Sequence, residues 1–223
     1  MIRGFIFDLD GVLTDTSRLH FEAWKKLSDN HGLYFDSKIN EELKGISRKD
    51  SLNTILEKND KLCYYSIKEK DDLLDEKNGI YLELIKNITP SDILPNIECF
   101  LNMLKKENYK IAVASASKNA TMVLNSLGLT GEFNYIANAS LIKHSKPNPE
   151  IFLDCAYNLG LNPDECVGIE DAQAGIEAIK GANMFAIGIG SFQGTIKPDI
   201  CLGSTEELEY GVIMSKIREI GCK

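Results

Sequence analysis

Long hydrophobic runs, clustered cysteines and an excess of positive charge are all absent from this 223-residue sequence. No apolar run approaches the ~20 residues that a membrane-spanning helix requires, and no charged and then apolar leader precedes the first predicted strand. The net charge of −8 argues against nucleic acid as a partner, because a phosphate backbone is bound by clustered lysine and arginine. We therefore expect a soluble, cytoplasmic protein without a membrane or nucleic acid partner.

The six cysteines are scattered, without a Cys-x-x-Cys pair and without the Cys/His spacing of a zinc site. Most of them sit inside apolar runs, which predicts small buried thiols that take part in packing. The remaining composition, 43% hydrophobic and 26% charged, is that of a globular protein with one large domain or two modest ones. No long apolar surface helix stands out, so we expect a monomer.

The chain opens with an apolar run that ends abruptly at two carboxylates. Residues 2–7 have the length and β-rich composition of a buried strand, and Asp8 and Asp10 follow them. In an extended chain, side chains two residues apart point to the same side. Such a pair is costly to bury unless a cation or a shared proton offsets the charge, although a solvated Asp-Gly turn is the ordinary alternative.

The rest of the chain divides into a helical block and an alternating block. Residues 15–90 are polar, lysine-rich and helical in period, whereas strands alternate with helices from residue 91 onward. Alternation of this kind predicts right-handed βαβ units and a parallel sheet covered on both faces. We therefore predict an α/β fold: a Rossmann-like core of residues 1–14 and 91–223, with residues 15–90 inserted after the first strand as an all-helical cap.

Several helix starts can be predicted from side chains. Ser47 and Ser66 each precede an acidic residue by three positions, which is typical of N-caps. Asn148 can cap a helix with Pro149 at its first position, where a missing N–H costs nothing. A short helix is also predicted at residues 41–43.

Polar residues follow the ends of four predicted strands. Ligand sites in parallel sheets form at these carboxyl ends. A hard divalent cation takes oxygen ligands from acids, while lysine and hydroxyl groups hold phosphoryl oxygens, so the four ends together predict phosphoryl transfer. The residues are Asp8 and Asp10, then Ser115, then Lys146, and finally Glu170 with Asp171.

Four motifs, in order along the chain, resemble those of the haloacid dehalogenase superfamily: DLDGVLTDT, SASKN, SKPNP and GIEDAQAGI. The predicted cap lies where that superfamily carries its helical insertion. Within the cap, residues 19–24, 43–51 and 77–78 also resemble the β-phosphoglucomutase family. The resemblance covers nearly the whole chain.

The resemblance implies phosphoryl transfer through an aspartyl phosphate. Asp8 would be the nucleophile, and Asp10 the general acid/base that serves the sugar hydroxyls. Mg²⁺ would be held by the Asp8 carboxylate, the Asp10 backbone carbonyl, Glu170 and Asp171. The other implied catalytic residues are Ser115 and Lys146 on the transferring phosphoryl group, Thr16 at the hinge between core and cap, and His20, which would orient Asp10.

A mutase that moves phosphate between the two ends of a hexose must hold a second, parked phosphate. Arg48 suits this because its guanidinium can grip phosphate bidentately, and Lys77 and Ser51 would hold sugar hydroxyls. The other expected substrate-binding residues are Trp24, Leu43, Lys44, Gly45, Ser115, Ala116, Ser117, Lys118 and Asn119. Trp24 could equally be a core residue, and the cap cations could be ordinary solvated side chains.

The implied activity is interconversion of β-D-glucose 1-phosphate and D-glucose 6-phosphate, with glucose 1,6-bisphosphate as primer and intermediate. Two alternatives stay open: a Mg²⁺-dependent sugar-phosphate phosphatase of the same superfamily, and a non-catalytic binding protein on the same fold. The four motifs do not separate mutase from phosphatase. That difference lies in water access and in contacts to the parked phosphate.

Overall fold

The computed structural model describes residues 1–221, and Cys222 and Lys223 lie outside the described residues. Its centre is a six-stranded sheet in the order β3-β2-β1-β4-β5-β6, with each neighbouring pair parallel. The predicted α/β class with a parallel sheet is therefore confirmed. The strands are β1 Gly4–Phe7, β2 Lys110–Val113, β3 Tyr135–Ile136, β4 Cys166–Glu170, β5 Phe185–Ile189 and β6 Ile200–Leu202.

Helices cover both faces of this sheet. Phe5 and Phe7 pack into one hydrophobic layer with α5, α6 and α9, whereas Ile6 packs into the opposite layer with α7 and α8. Because successive side chains of a strand point to opposite faces, β1 is buried on both sides. The covering helices are α5 Ile97–Lys106, α6 Ala120–Ser126, α7 Glu150–Leu159, α8 Gln173–Gly181 and α9 Tyr210–Gly221.

The helices between β1 and α5 enclose a smaller hydrophobic cluster of their own. Trp24 and Leu27 pack there with Leu52, Ile55 and Leu73. We call this segment, residues 15–90, the cap. Its α-helices are α1 Ser17–Asn30, α2 Ser37–Glu42, α3 Arg48–Lys58 and α4 Ile67–Leu84.

Two hydrogen bonds join the chain where it enters and leaves the cap. The Thr14 hydroxyl donates to the Asp92 carbonyl at 2.7 Å, and the Leu94 amide donates to the Leu13 carbonyl at 3.0 Å. Both ends of the cap are thereby held next to the end of β1. The loop after this central strand carries Asp8 and Asp10, so the cap connections lie beside the two carboxylates.

The predicted helix starts hold at Ser47 and Ser66, whose side chains accept the backbone N–H groups of Asp50 and Glu69. The prediction for Asn148 was one residue early: α7 begins at Glu150 with Pro149 as its N-cap residue, and Asn148 accepts the N–H of Glu150 at 3.0 Å. The prediction of a helix at residues 41–43 was misplaced. Asp36 accepts the N–H of Ile39 at 2.9 Å and starts α2 four residues earlier.

The prediction of mainly buried cysteines was wrong for part of the set. Cys155 and Cys166 are buried, but Cys63, Cys99 and Cys201 are exposed. Beside Cys99 and Cys201 the apolar neighbours Phe100, Ile200 and Leu202 are buried, whereas Tyr64 beside Cys63 is exposed as well. None of the helices within residues 1–221 combines the length and apolar character that crossing a membrane requires.

Replacing Phe5 with alanine should lower the free energy of unfolding by about 3–5 kcal/mol, measured by urea denaturation. Phe5 is fully buried, and its ring meets those of Phe100 and Tyr109 edge-on at centroid distances of 5.7 and 5.2 Å. Tyr157→Ala, at an aromatic residue that is 83% exposed, is the control and should change stability by less than about 0.5 kcal/mol. Equal losses at the two positions would contradict the central place of β1 in the core.

Candidate active site

The carboxyl ends of β1, β2 and β4 face a cavity of about 750 Å³ between the sheet and the cap. β1 lies between β2 and β4, so Asp8 comes close to residues that follow both neighbours. The Asp8 amide donates to the Ile169 carbonyl at 2.9 Å, which continues the β1–β4 pairing up to the carboxylate. The site is therefore built at the place where parallel sheets bind ligands.

Lys146 forms the centre of a buried charge cluster. Its ammonium donates to Asp8 at 2.6 Å and to Glu170 at 2.5 Å, and these three side chains are almost completely shielded from solvent. Burial alone would lower the pKa of Lys146, but the two carboxylates outweigh burial and raise it above its usual value. The Ala172 amide also donates to Glu170, at 2.8 Å. Lys146 therefore stays charged and fixes the position of the Asp8 carboxylate.

Asp171 adds a third carboxylate beside this pair. Oxygen atoms of Asp8, Glu170 and Asp171 lie within 4.8 Å of one another. Burial first, and then Glu170 and Asp8, raise the pKa of Asp171, which reports an excess of negative charge that Lys146 does not neutralise. A hard divalent cation would relieve this excess with the oxygen ligands that it prefers, so the residues present fit such an ion.

Gly11 makes room for this arrangement. Its φ is +81°, and a Cβ at this position would come within 2.2 Å of the Asp171 carboxylate. Any larger residue would therefore suffer backbone strain and a collision together. Gly11 thus leaves the space that the Asp171 carboxylate occupies. Its position in a turn of the sequence does not indicate this role.

Asp10 is half-buried and faces the cap. Its Oδ1 has no hydrogen-bond partner among residues 1–221, and its Oδ2 lies 4.0 Å from Nε2 of His20. Burial, and then the charge of Asp8, raise the pKa of Asp10. Oδ1 is buried, but Asp10 lines the cavity and its Oδ2 faces His20 of the cap.

His20 is held by two other cap residues. The Lys77 ammonium lies 2.9 Å from its Nδ1, and the Tyr81 ring packs against the imidazole at a centroid distance of 4.1 Å. Burial, followed by the charges of Lys77 and Arg48, lowers the pKa of His20 well below its usual value. Because the ammonium can only donate to Nδ1, we assign the proton of the neutral ring to Nε2, the nitrogen nearer to Asp10.

Lys77 is a buried cation, and no carboxylate of residues 1–221 contacts its ammonium. Only 2% of the residue is exposed, and its ammonium lies over the rings of Trp24 and Tyr81 at 4.9 and 4.7 Å. Burial, reinforced by the charge of Arg48 and opposed by Asp10, lowers the pKa of Lys77 to about 7. Trp24 thus belongs to the hydrophobic cluster of the cap and also lines the cavity. The two interpretations of Trp24, as a core residue and as a substrate-binding residue, are therefore compatible.

Most of the predicted site residues line this cavity, and four do not. The four are the buried residues Thr16, Ser115, Lys146 and Glu170, of which Lys146 lines a smaller adjoining pocket. The Thr16 hydroxyl has no hydrogen-bond partner within residues 1–221. Those that line the cavity are Asp8, Asp10, His20, Trp24, Leu43, Lys44, Gly45, Arg48, Ser51, Lys77, Ala116, Ser117, Lys118, Asn119 and Asp171.

Other residues at the cavity were missed in the sequence. The Asn119 amide donates to Asn78 at 2.9 Å, and the Ser145 hydroxyl donates to Asp50, so both pairs connect the cap to the core. Tyr81, which packs against His20, also had a local signal, since it stands four residues after Lys77 on one helix face. Further lining residues without a predicted role are Asn40, Lys49, Asp71, Asp75 and Lys143.

Comparison with known proteins agrees with this geometry. The family model described as haloacid dehalogenase-like hydrolase matches residues 2–183. The chain is 44% identical to the β-phosphoglucomutase of Bacillus subtilis over 93% of this chain and 92% of that one. It is 30% identical to the fructose-1-phosphate phosphatase YqaB of Escherichia coli over 83% of this chain and 95% of that protein.

Among solved structures, the β-phosphoglucomutase of Clostridium difficile is 48% identical and superposes with a TM-score of 0.97 over 100% of both chains. The likeness thus includes the cap as well as the core, and it confirms the resemblance noted from the motifs. The chain belongs to the haloacid dehalogenase-like hydrolase family.

Proposed function

We propose that the protein is a β-phosphoglucomutase that interconverts β-D-glucose 1-phosphate and D-glucose 6-phosphate. The observation that carries this proposal is one cavity lined both by Asp8 and, from the cap, by Arg48, with Lys118 beside them. A reacting phosphate and a second, parked phosphate can therefore occupy the same cavity. Relatives named as β-phosphoglucomutases that match along nearly the whole chain support the same assignment.

In the first half-reaction, the 6-hydroxyl oxygen of β-glucose 1-phosphate attacks the phosphorus of phosphorylated Asp8. The bond from phosphorus to the Asp8 oxygen breaks, and the hydroxyl proton passes to Asp10. In the second, the C1 phosphoryl group of β-glucose 1,6-bisphosphate is transferred back to Asp8. Asp10 returns the proton to the leaving C1 oxygen, and glucose 6-phosphate is released.

The residues around Asp8 and Asp10 hold the reacting groups. Lys146, which contacts Asp8 at 2.6 Å, binds the transferring phosphoryl group together with Ser115. His20 presents its Nε2 proton towards Asp10 and orients this carboxyl group when the cap is closed. Thr16, the residue before α1, occupies the hinge.

Mg²⁺ is the proposed cofactor, held by Asp8, Glu170, Asp171 and the backbone carbonyl of Asp10. When bound, it neutralises charge on the carboxylates and on the phosphoryl oxygens. The cluster of three carboxylate oxygens within 4.8 Å supports this choice.

The sugar and the parked phosphate are assigned to the cap and to the loop after β2. The parked phosphate is bound by Arg48, Ser117, Lys118 and Asn119. The remaining proposed substrate contacts are Lys77 and Ser51 on sugar hydroxyls, with Trp24, Leu43, Lys44, Gly45 and Ala116 shaping the pocket. Residues 15–90 act as the moving cap over the core of residues 1–14 and 91–223, and the enzyme works as a cytoplasmic monomer.

A phosphatase acting on a sugar phosphate is the second candidate, since a fructose-1-phosphate phosphatase is also a relative. The same Asp8 chemistry serves both activities, and they differ in whether water or sugar accepts the phosphoryl group. The cap favours the mutase, because it places Arg48 and buried Lys77 over the cavity, where a simple hydrolase has less use for them.

The proposal predicts rapid glucose 6-phosphate formation with little free phosphate. The assay supplies Mg²⁺, β-glucose 1-phosphate and a trace of glucose 1,6-bisphosphate, and it measures both products in the same tube. Asp8→Asn should abolish turnover, because an amide cannot become the aspartyl phosphate. Free phosphate in proportion to substrate loss would instead identify a phosphatase. Retained turnover in Asp8→Asn would refute the assignment of Asp8 as the nucleophile.

Removing divalent cations with EDTA should reduce turnover by about a hundredfold or more, and added Mg²⁺ should restore it. Mg²⁺ should also raise the melting temperature, because it binds the folded carboxylate cluster and not the unfolded chain. Asp171→Asn removes one of the crowded charges, so this variant should melt higher than wild type without metal and gain less from Mg²⁺. An Asp171→Asn variant that gains as much as wild type would contradict the assigned site.

Lys77→Met should stabilise the fold while impairing catalysis. The variant replaces a buried charge, which has no carboxylate in contact, by an apolar side chain of similar length between Trp24 and Tyr81. We expect the free energy of unfolding to rise by about 1–2 kcal/mol and turnover to fall by about a hundredfold.

Lys26→Met, an exposed position on α1, is the matched control and should alter neither quantity. A Lys77→Met protein with a lower free energy of unfolding than wild type would mean that the buried lysine stabilises the fold, which would contradict this prediction.

A further inference from the structure

The side chain of Asp50 connects the cap to the core. Asp50 lies in the first turn of α3, and its Oδ2 accepts the hydroxyl of the N-cap residue Ser47 at 2.6 Å. The same oxygen accepts the hydroxyl of Ser145, which lies 95 residues further along the chain. One carboxylate oxygen thus joins the start of a cap helix to a core loop.

Ser145 is the residue immediately before Lys146. Lys146 donates to Asp8 and Glu170, and the Ser145 carbonyl accepts the Asn148 amide at 2.9 Å, which closes the loop into a turn. A displacement of Ser145 would therefore be passed to the lysine that holds Asp8. The cap contact falls one residue away from the phosphoryl site.

The loop before α3 also rests on the core. Gly45 has a φ of +75°, and a Cβ there would lie 3.2 Å from the Cβ of Ala172, the residue after Asp171. Away from the hinge, the structure of residues 1–221 has two side-chain hydrogen bonds between cap and core, Asn119 to Asn78 and Ser145 to Asp50. Asn119 is assigned to the substrate, whereas the Asp50–Ser145 pair has no role in the proposed chemistry.

We propose that the Asp50–Ser145 hydrogen bond is a positioning contact that holds the cap in register over Lys146 and so controls whether sugar or water receives the phosphoryl group. The inference rests on the proposed mutase function. A bond that forms only when the cap is closed shifts the equilibrium towards the closed state, and a closed cap excludes water from phosphorylated Asp8. Asp50 and Ser145 touch neither Asp8 nor Asp10 in this arrangement, so they act through the cap and through Lys146.

The test is the ratio of free phosphate to glucose 6-phosphate formed from β-glucose 1-phosphate. Ser145→Ala removes the bond to the core and leaves the Ser47–Asp50 cap of α3 intact. We expect this ratio to rise about five- to tenfold, which corresponds to about 1.0–1.4 kcal/mol at 1.36 kcal/mol per factor of ten. Ser145→Thr keeps the hydroxyl and should keep the wild-type ratio.

Ser66→Ala is the control for lost helix capping. Ser66 caps α4 through the same kind of hydroxyl–carboxylate pair, with Glu69 at 2.7 Å, but this pair is confined to the cap. Ser66→Ala should lower the melting temperature slightly and leave the product ratio unchanged.

Coupling between the two residues is tested in the Asp50→Ala background. If the bond is the cause, Ser145→Ala should raise the ratio in wild type and have no further effect beside Asp50→Ala. An unchanged ratio in Ser145→Ala, or fully additive effects, would overturn the inference. Wild-type protein that releases only free phosphate would refute the mutase function itself, and that result is visible before any variant is made.

Discussion

The ammonium of Lys146, held between Asp8 and Glu170, is the contact on which the site depends. Three carboxylates meet at the end of a sheet that is buried on both faces, and their mutual repulsion would be prohibitive without a cation in the same place. Lys146 is buried and offsets part of this charge. The negative charge that remains suits the site to a divalent ion, and the ammonium of Lys146 can in turn offset the charge of a phosphoryl group.

The cap meets this anionic site with a different kind of group. His20 is neutral because burial keeps its pKa well below the usual value. Lys77 lies between two aromatic rings, and its pKa is lowered to about 7. Such an arrangement is costly to the fold, which is typical of groups retained for chemistry. The core thus concentrates fixed charge at Asp8, while the cap brings Nε2 of His20 to 4.0 Å from Asp10, a separation too long for a hydrogen bond.

Much of this could be predicted from the sequence, because the signals were local. Apolar runs marked the strands, serines with acids three residues later marked helix starts, and polar residues after strands marked the site edge. The start of α2 was missed because Asp36 acts through one hydrogen bond and not through an apolar pattern. The contacts between Lys77 and His20 and between Ser145 and Asp50 join residues 57 and 95 positions apart, and no periodicity encodes such pairs.

The hydrogen bonds from Leu94 to Leu13 and from Thr14 to Asp92 bring the two ends of the cap together at the central strand. An insertion whose two ends lie next to each other costs the core fold little free energy. Loop-closure entropy grows only slowly with loop length, and the strands of the core keep their positions. The core can therefore keep its phosphoryl chemistry while the inserted segment diverges. Changes within the inserted segment can thereby alter substrate choice, in concert with the loop after β2, while the buried residues around Asp8 stay the same.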